Sequence, residues 1–204
     1  MEELNSKDFN PESLVDIAIK DPKIIGTLIS NLEVKDDTIR YNSHKVLLNV
    51  SLNHPEVLYP HWDSFAELIK SKNNFHKVIG IQILANLVRI DIKNKLDDIF
   101  DILIALIDAK SVMTAAHLAA NLGKIAKRKP DLRKRITDVL LNIDKTHHES
   151  DRKDLIKASV IESFNEYFNE IENKEEIIKF VETQLTSKSP KTRKVAEKFL
   201  KLYY

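Results

Sequence analysis

The chain has no cysteine. That excludes disulfides, thiolate metal centres and cysteine nucleophiles, and nothing points to secretion. Glycine is almost as scarce: Gly26, Gly80 and Gly123 are the three in 204 residues, and they lie far apart. Sheet proteins need glycine at hairpin turns and bulges, and phosphate-binding loops need it clustered. Neither a β architecture nor a Rossmann or Walker site is expected. An excess of one charge is also missing, since 32 Lys+Arg nearly cancel 31 Asp+Glu to leave a net +1. This balance argues against a dedicated polyanion binder. Long apolar runs are absent too: IFDILIALI is interrupted by Asp101 and falls short of a membrane span. The beginning, MEELNSKDFNPESLV, is acidic and polar, without the apolar core of a signal peptide. The expectation is a soluble cytoplasmic protein with no membrane partner and no cofactor.

What is present is helical periodicity broken by proline and short polar connectors. NPESLVDIAIK and DPKIIGTLISNL place Asn10 and Asp21 as N-caps, with Pro11 and Pro22 at the first helical position, where a missing N–H costs nothing. DDTIRYNSHKVLLNVSLN, with Val46, Leu47 and Val50, keeps a 3.6-residue apolar period, and so does NNFHKVIGIQILANLVRID, with Ile79, Ile83, Leu84, Leu87 and Ile90. Similar segments follow to the end. Short connectors suit antiparallel helix pairs.

Three strings then align. KVLLNVSL, QILANLVRI and HLAANLGKI place Asn49, Asn86 and Asn121 in register, with Ser163 and Lys198 at the matching place of two further copies. Five helix pairs are expected behind an N-terminal cap: residues 1–20, then about 22–53, 55–91, 94–129, 130–172 and 173–204, together one domain over 1–204.

The turn–Arg–Ala–Leu pattern of SPKTRKVAEKFL, and more loosely DDTIRYNSHKVLLNV, resembles HEAT repeats, and LLNV, LANL and AANL resemble the third helix of armadillo repeats. The resemblance covers roughly residues 22–204 and implies an all-α, right-handed α-solenoid. Physics leads to the same picture, because a lone pair cannot bury both apolar stripes while stacked pairs share a continuous core. The second helix of each pair would line a concave face.

A helical wheel puts Gly80, Ile83, Leu84, Leu87 and Ile90 in the buried arc of the second pair, with Val78, Gln82, Ala85 and Arg89 opposite and Asn86 on the shoulder. Carried to the other copies, the exposed strip reads Tyr41, Lys45, Asn49 and Leu52; Gln82, Asn86 and Arg89; Met113, His117, Asn121 and Lys124; Ser159, Ser163 and Glu166; Lys194, Lys198 and Lys201. Asparagine is a poor helix former, so three in one phase invite two readings. The amides bond within the protein or to water, or they face a partner. The armadillo resemblance implies that Asn49, Asn86 and Asn121 hold the main chain of an extended ligand. Lys45, Gln82 and His117 stand where many armadillo grooves carry tryptophan, so recognition of long basic side chains does not transfer.

Other constellations read as structural. His147 and His148 in THHES belong to a polar loop, and Asp97/Asp98 and Glu175/Glu176 sit near helix starts, where negative charge suits the dipole. The basic run KIAKRKPDLRKR reads as a solvated turn between repeats. The reading is a non-enzymatic scaffold that binds an unidentified protein or peptide along the second-helix face, with no metal. Its alternative is a nucleic-acid-associated HEAT-like protein. Trp62–Asp63 resembles the groove pair of HEAT-like glycosylases for alkylated DNA bases, and Arg89, Lys124, Arg128 and Arg135 would meet the phosphates. A homodimer through the C-terminal pair is a further expectation.

Overall fold

A computed structural model describes residues 2–203. Twelve α-helices follow one another, and no strand occurs among the described residues. They are α1 (Glu12–Ala18), α2 (Pro22–Ser30), α3 (Asp37–Asn53), α4 (Pro55–Leu58), α5 (Trp62–Lys70), α6 (Asn74–Leu87), α7 (Phe100–Ala105), α8 (Val112–Arg128), α9 (Pro130–Leu141), α10 (Ser150–Tyr167), α11 (Glu175–Thr183) and α12 (Pro190–Tyr203). They divide into two compact units, Met1–Lys95 and Leu96–Tyr204.

Local chemistry starts the helices. The Asp21 carboxylate accepts the Lys23 N–H at 2.9 Å, one residue ahead of Pro22. Asp36 accepts from Thr38 and Ile39 at 2.8 and 3.0 Å to open α3. Asn73 accepts from Phe75 at 2.9 Å for α6, and Ser111 from Thr114 at 3.3 Å for α8. Ser189 accepts from Thr192 at 3.3 Å in the first turn of α12. Each cap satisfies orphan N–H groups and contributes about 1 kcal/mol. A lysine precedes each of these caps, in Lys20–Asp21, Lys35–Asp36, Lys72–Asn73, Lys110–Ser111 and Lys188–Ser189. The fourth second helix, α10, departs from this: His148 precedes Glu149, whose side chain makes no cap bond.

The caps set the burial register. Seven and eight, ten and eleven, and fourteen and fifteen residues past the cap, the side chains are buried in three successive second helices. In α3 these are Ser43, His44, Val46, Leu47, Val50 and Ser51. In α6 and the turn that ends it they are Gly80, Ile81, Ile83, Leu84, Leu87 and Val88. In α8 they are Leu118, Ala119, Asn121, Leu122, Ile125 and Ala126. Asn121 therefore stands where Val46 and Ile83 stand. The expected row of three amides is corrected: Asn49 and Asn86 lie thirteen residues past their caps, Asn121 only ten.

In the first unit, α3 packs against α1, α2 and α6, and α6 lies on α5. Trp62 and Phe65 of α5 are buried, and Tyr59 meets Trp62 edge-on at 5.9 Å between centroids. The buried Asn42 amide donates to the carbonyls of Leu4 and Ser6 at 3.0 and 2.8 Å, fastening the N-terminal segment. A Cβ on Gly80 would come within 2.8 Å of the Phe65 carbonyl oxygen, so only glycine lets α6 approach α5 this closely.

In the second unit, α10 packs between α8 and α12. A Cβ on Gly123 would meet the Ser163 backbone, with Cα at 2.9 Å. Ser159 and Ser163 are buried, not part of an exposed strip, and Val78 and Ala85 of α6 are buried likewise. The reason is shared: a helix with neighbours on several sides leaves only a narrow stripe to solvent. The Tyr167 hydroxyl is 2.9 Å from that of Thr137, and burial pushes its pKa up to about 12.

Candidate binding surface

Counted from each cap, positions two, five, nine, thirteen and sixteen share one helix face. In α3 they are Thr38, Tyr41, Lys45, Asn49 and Leu52, all exposed or half-exposed. In α8 they are Met113, Ala116, Ala120, Lys124 and Lys127, also open. In α6, Phe75, Gln82 and Arg89 are open while Val78 and Asn86 are covered. In α12, Lys191, Lys194 and Lys198 are exposed. In α10, counting from Glu149, the stripe is Asp151, Asp154, Ala158, Glu162 and Asn165, with Ala158 buried.

The first unit offers the more apolar stripe. Tyr41 is 50% and Leu52 45% exposed, and the Lys45 ammonium lies 4.4 Å from the Tyr41 ring centroid. Beside them is a cleft lined by Lys7, Asp37, Thr38, Arg40, Tyr41, Asn42, Lys45 and Phe75. The Arg40 guanidinium lies 5.2 Å over the Phe75 ring, donates to the Val34 carbonyl at 2.9 Å and pairs with Asp37. Sequence reasoning missed Phe75 and Arg40. Counting from Asn73 would have found Phe75.

The three amides have different neighbours. Asn49 is half-buried and its Oδ1 accepts from Asn53 at 2.9 Å. Asn86 is only 5% exposed, and its amide donates to Ser51 Oγ on α3 at 2.8 Å. Asn121 is 6% exposed and donates to the His117 carbonyl of its own helix at 2.8 Å. Gln82 is half-exposed and Arg89 exposed.

Part of the charge around the second unit's stripe is paired. Lys191 pairs with Glu162 at 3.1 Å, and Lys188 with Asp151 at 3.5 Å. Burial lowers the Lys124 pKa, with the Glu166 carboxylate pulling the other way. Burial also lowers the His117 pKa, helped by the charge of Lys191. Met113 is 46% exposed, and Lys194 and Lys198 are exposed. A second cleft, lined by Ile161, Glu162, Asn165, Glu166, Val195, Lys198 and Phe199, lies between α10 and α12.

Several elements of the nucleic-acid reading are engaged within the protein. Trp62 is a core residue, while Asp63 is exposed and pairs with Lys95 at 3.0 Å. In the basic run, Arg133 donates to the carbonyls of Ala126 and Glu170 at 3.1 and 3.0 Å. Arg135 pairs with Asp101 at 2.7 Å and lies over Phe100, and Lys134 pairs with Asp138 at 2.8 Å. Arg133 and Arg135 fasten α9 to its neighbours and Lys134 pairs within α9, although Lys127 and Arg128 remain exposed.

Repeated caps, repeated burial register and paired helices define an all-α, HEAT/armadillo-like helical-repeat fold. No family model matches the chain, and no curated protein matches it. Solved structures do. One engineered protein superposes with a TM-score of 0.55 at 15% identity, covering 96% of this chain and 92% of its own. A second engineered protein gives 0.51 at 16%, covering 98% and 94%. A designed armadillo repeat protein gives 0.49 at 15%, covering 100% and 98%. At such identities the likeness to the two engineered proteins is one of fold. No helix among the described residues is long and apolar enough to cross a membrane.

Proposed function

We propose that the chain is a non-enzymatic interaction scaffold whose second-helix stripes take a segment of a partner protein. The observation that carries this reading is the placement of Tyr41, Leu52 and Met113, large apolar side chains left open on that stripe. Such residues act as anchors when they enter a partner's pocket, while charged neighbours set register and association rate. Lys45, Asn49, Gln82 and Arg89 would serve so in the first unit, and His117, Lys124, Lys194 and Lys198 in the second. Asn86 and Asn121, buried and bonded internally, contribute through the fold. The burial of Trp62 in the core and the ion pairs that hold Arg135 and Lys191 favour a protein partner over nucleic acid.

The test is affinity capture from source lysate with nuclease present, comparing wild type with Tyr41→Ala/Leu52→Ser and with Met113→Lys. A specific protein enriched by wild type, and at least tenfold less by one of the variants, is the expected result. Equal capture by all three chains, or capture that nuclease abolishes, overturns the proposal.

A further inference from the structure

The connector between α9 and α10 differs from its counterparts. In three connectors a buried apolar residue precedes the cap by four positions: Leu32 to Asp36, Ile69 to Asn73 and Ile107 to Ser111. Here the interval from Ile143 to Glu149 is six, and the extra length holds His147 and His148. The fold crosses the other connectors without such an extension, so packing alone does not call for the histidine pair.

The extension brings both imidazoles to a carboxylate from the preceding connector. The ligating atoms of Asp108, His147 and His148 all lie within 4.8 Å of one another. Asp108 Oδ1 is 2.5 Å from His147 Nδ1 and accepts the His147 backbone N–H at 2.8 Å, which fixes the loop. The two rings are 4.4 Å apart between centroids. His148 is only 5% exposed, and its Nε2 is buried with no hydrogen-bond partner. An unpaired imidazole nitrogen in a buried setting is costly unless something satisfies it.

We propose that Asp108, His147 and His148 form a binding site for a divalent transition-metal ion of the zinc class. Two imidazoles and one carboxylate suit Zn²⁺ and disfavour Mg²⁺ or Ca²⁺, which require all-oxygen shells. Three protein ligands leave a fourth position for water, on the side where Asp108 and His147 are exposed. The Lys153 ammonium, whose charge acts on His148, donates to the Asp144 carbonyl at 3.0 Å.

The experiment is calorimetric titration of the untagged full chain with Zn²⁺, and separately with Mg²⁺, read beside the imidazole resonances of His147 and His148. Expected are one saturable Zn²⁺ site, shifts of both imidazoles, and no response to Mg²⁺. Asp108→Asn and His147→Gln, both at exposed positions, should each weaken binding at least tenfold while the fold is retained by circular dichroism. His61→Gln, elsewhere in the chain, should leave binding unchanged. Absence of saturable Zn²⁺ binding, or binding that survives both Asp108→Asn and His147→Gln, overturns the site.

Discussion

Helices α6 and α8 carry nearly the same string, LANL and AANL, and put it to different uses. In α6 the asparagine lies thirteen residues past its cap and reaches across to Ser51 of α3, joining two helices of the first unit. In α8 it lies ten residues past its cap and turns back on its own helix at His117. The glycines differ in the same way. Gly80 lets α6 approach α5, whereas Gly123 lets α8 approach α10. The lesson is that a short string has no fixed role in a repeat. Distance from the helix start decides which neighbour a side chain meets, because every residue turns the face by about 100°.

The largest effect that would break this comparison is expected at the glycines. Gly123→Ala sets a methyl against the Ser163 backbone, which cannot rotate away. It should cost about 3 kcal/mol in urea unfolding. Gly26 in α2 has nothing within 4 Å of its Cβ position, so Gly26→Ala should instead stabilise by about 0.5–1 kcal/mol through helix propensity. Equal changes at both sites would show that close approach is not what Gly123 serves.

Next comes Tyr167 of α10, the helix on which α8 packs. Burial raises its pKa from 10.0 to about 12, so the folded chain holds the phenolic proton more tightly than the unfolded one. The sign follows: this contribution is complete below about pH 10 and is lost as pH rises toward 12, on the order of 2–3 kcal/mol in all. Stability measured across that window should fall in wild type and fall less in Tyr167→Phe. Parallel curves would contradict it.

The smallest effect tests the amides themselves. Asn86→Ala removes a partner of the buried Ser51 hydroxyl and should cost about 1–2 kcal/mol. Asn121→Ala loses one bond to its own helix but gains propensity, and should stay within about 1 kcal/mol. The reverse order in thermal unfolding would mean that the register counted from the caps is wrong.

Helix starts were legible in the sequence. Asp21–Pro22 reads as a cap whose partner lies two residues away, and the periodic Ile83, Leu84 and Leu87 read as a buried arc, which they are. The exposed strip was legible at Tyr41, Lys45 and Leu52, was shifted at Asn121, where the asparagine string and the cap disagree, and was lost at Asn86, where they agree but packing on α3 covers the side chain. Residues met across space were not legible. Asp108 beside His147 and Ser163 beneath Gly123 are pairs separated by 39 and 40 positions.

By itself, then, the amino-acid order determined helical content, the absence of strands among the described residues and the points where helices begin, since caps, prolines and apolar period act within a turn or two. Only the tertiary structure decided which side chains of a repeated string are covered, that Trp62 belongs to the core, and that a carboxylate meets the histidine pair. Those outcomes depend on which helix lies against which, and packing between distant segments has no imprint in any short stretch of chain.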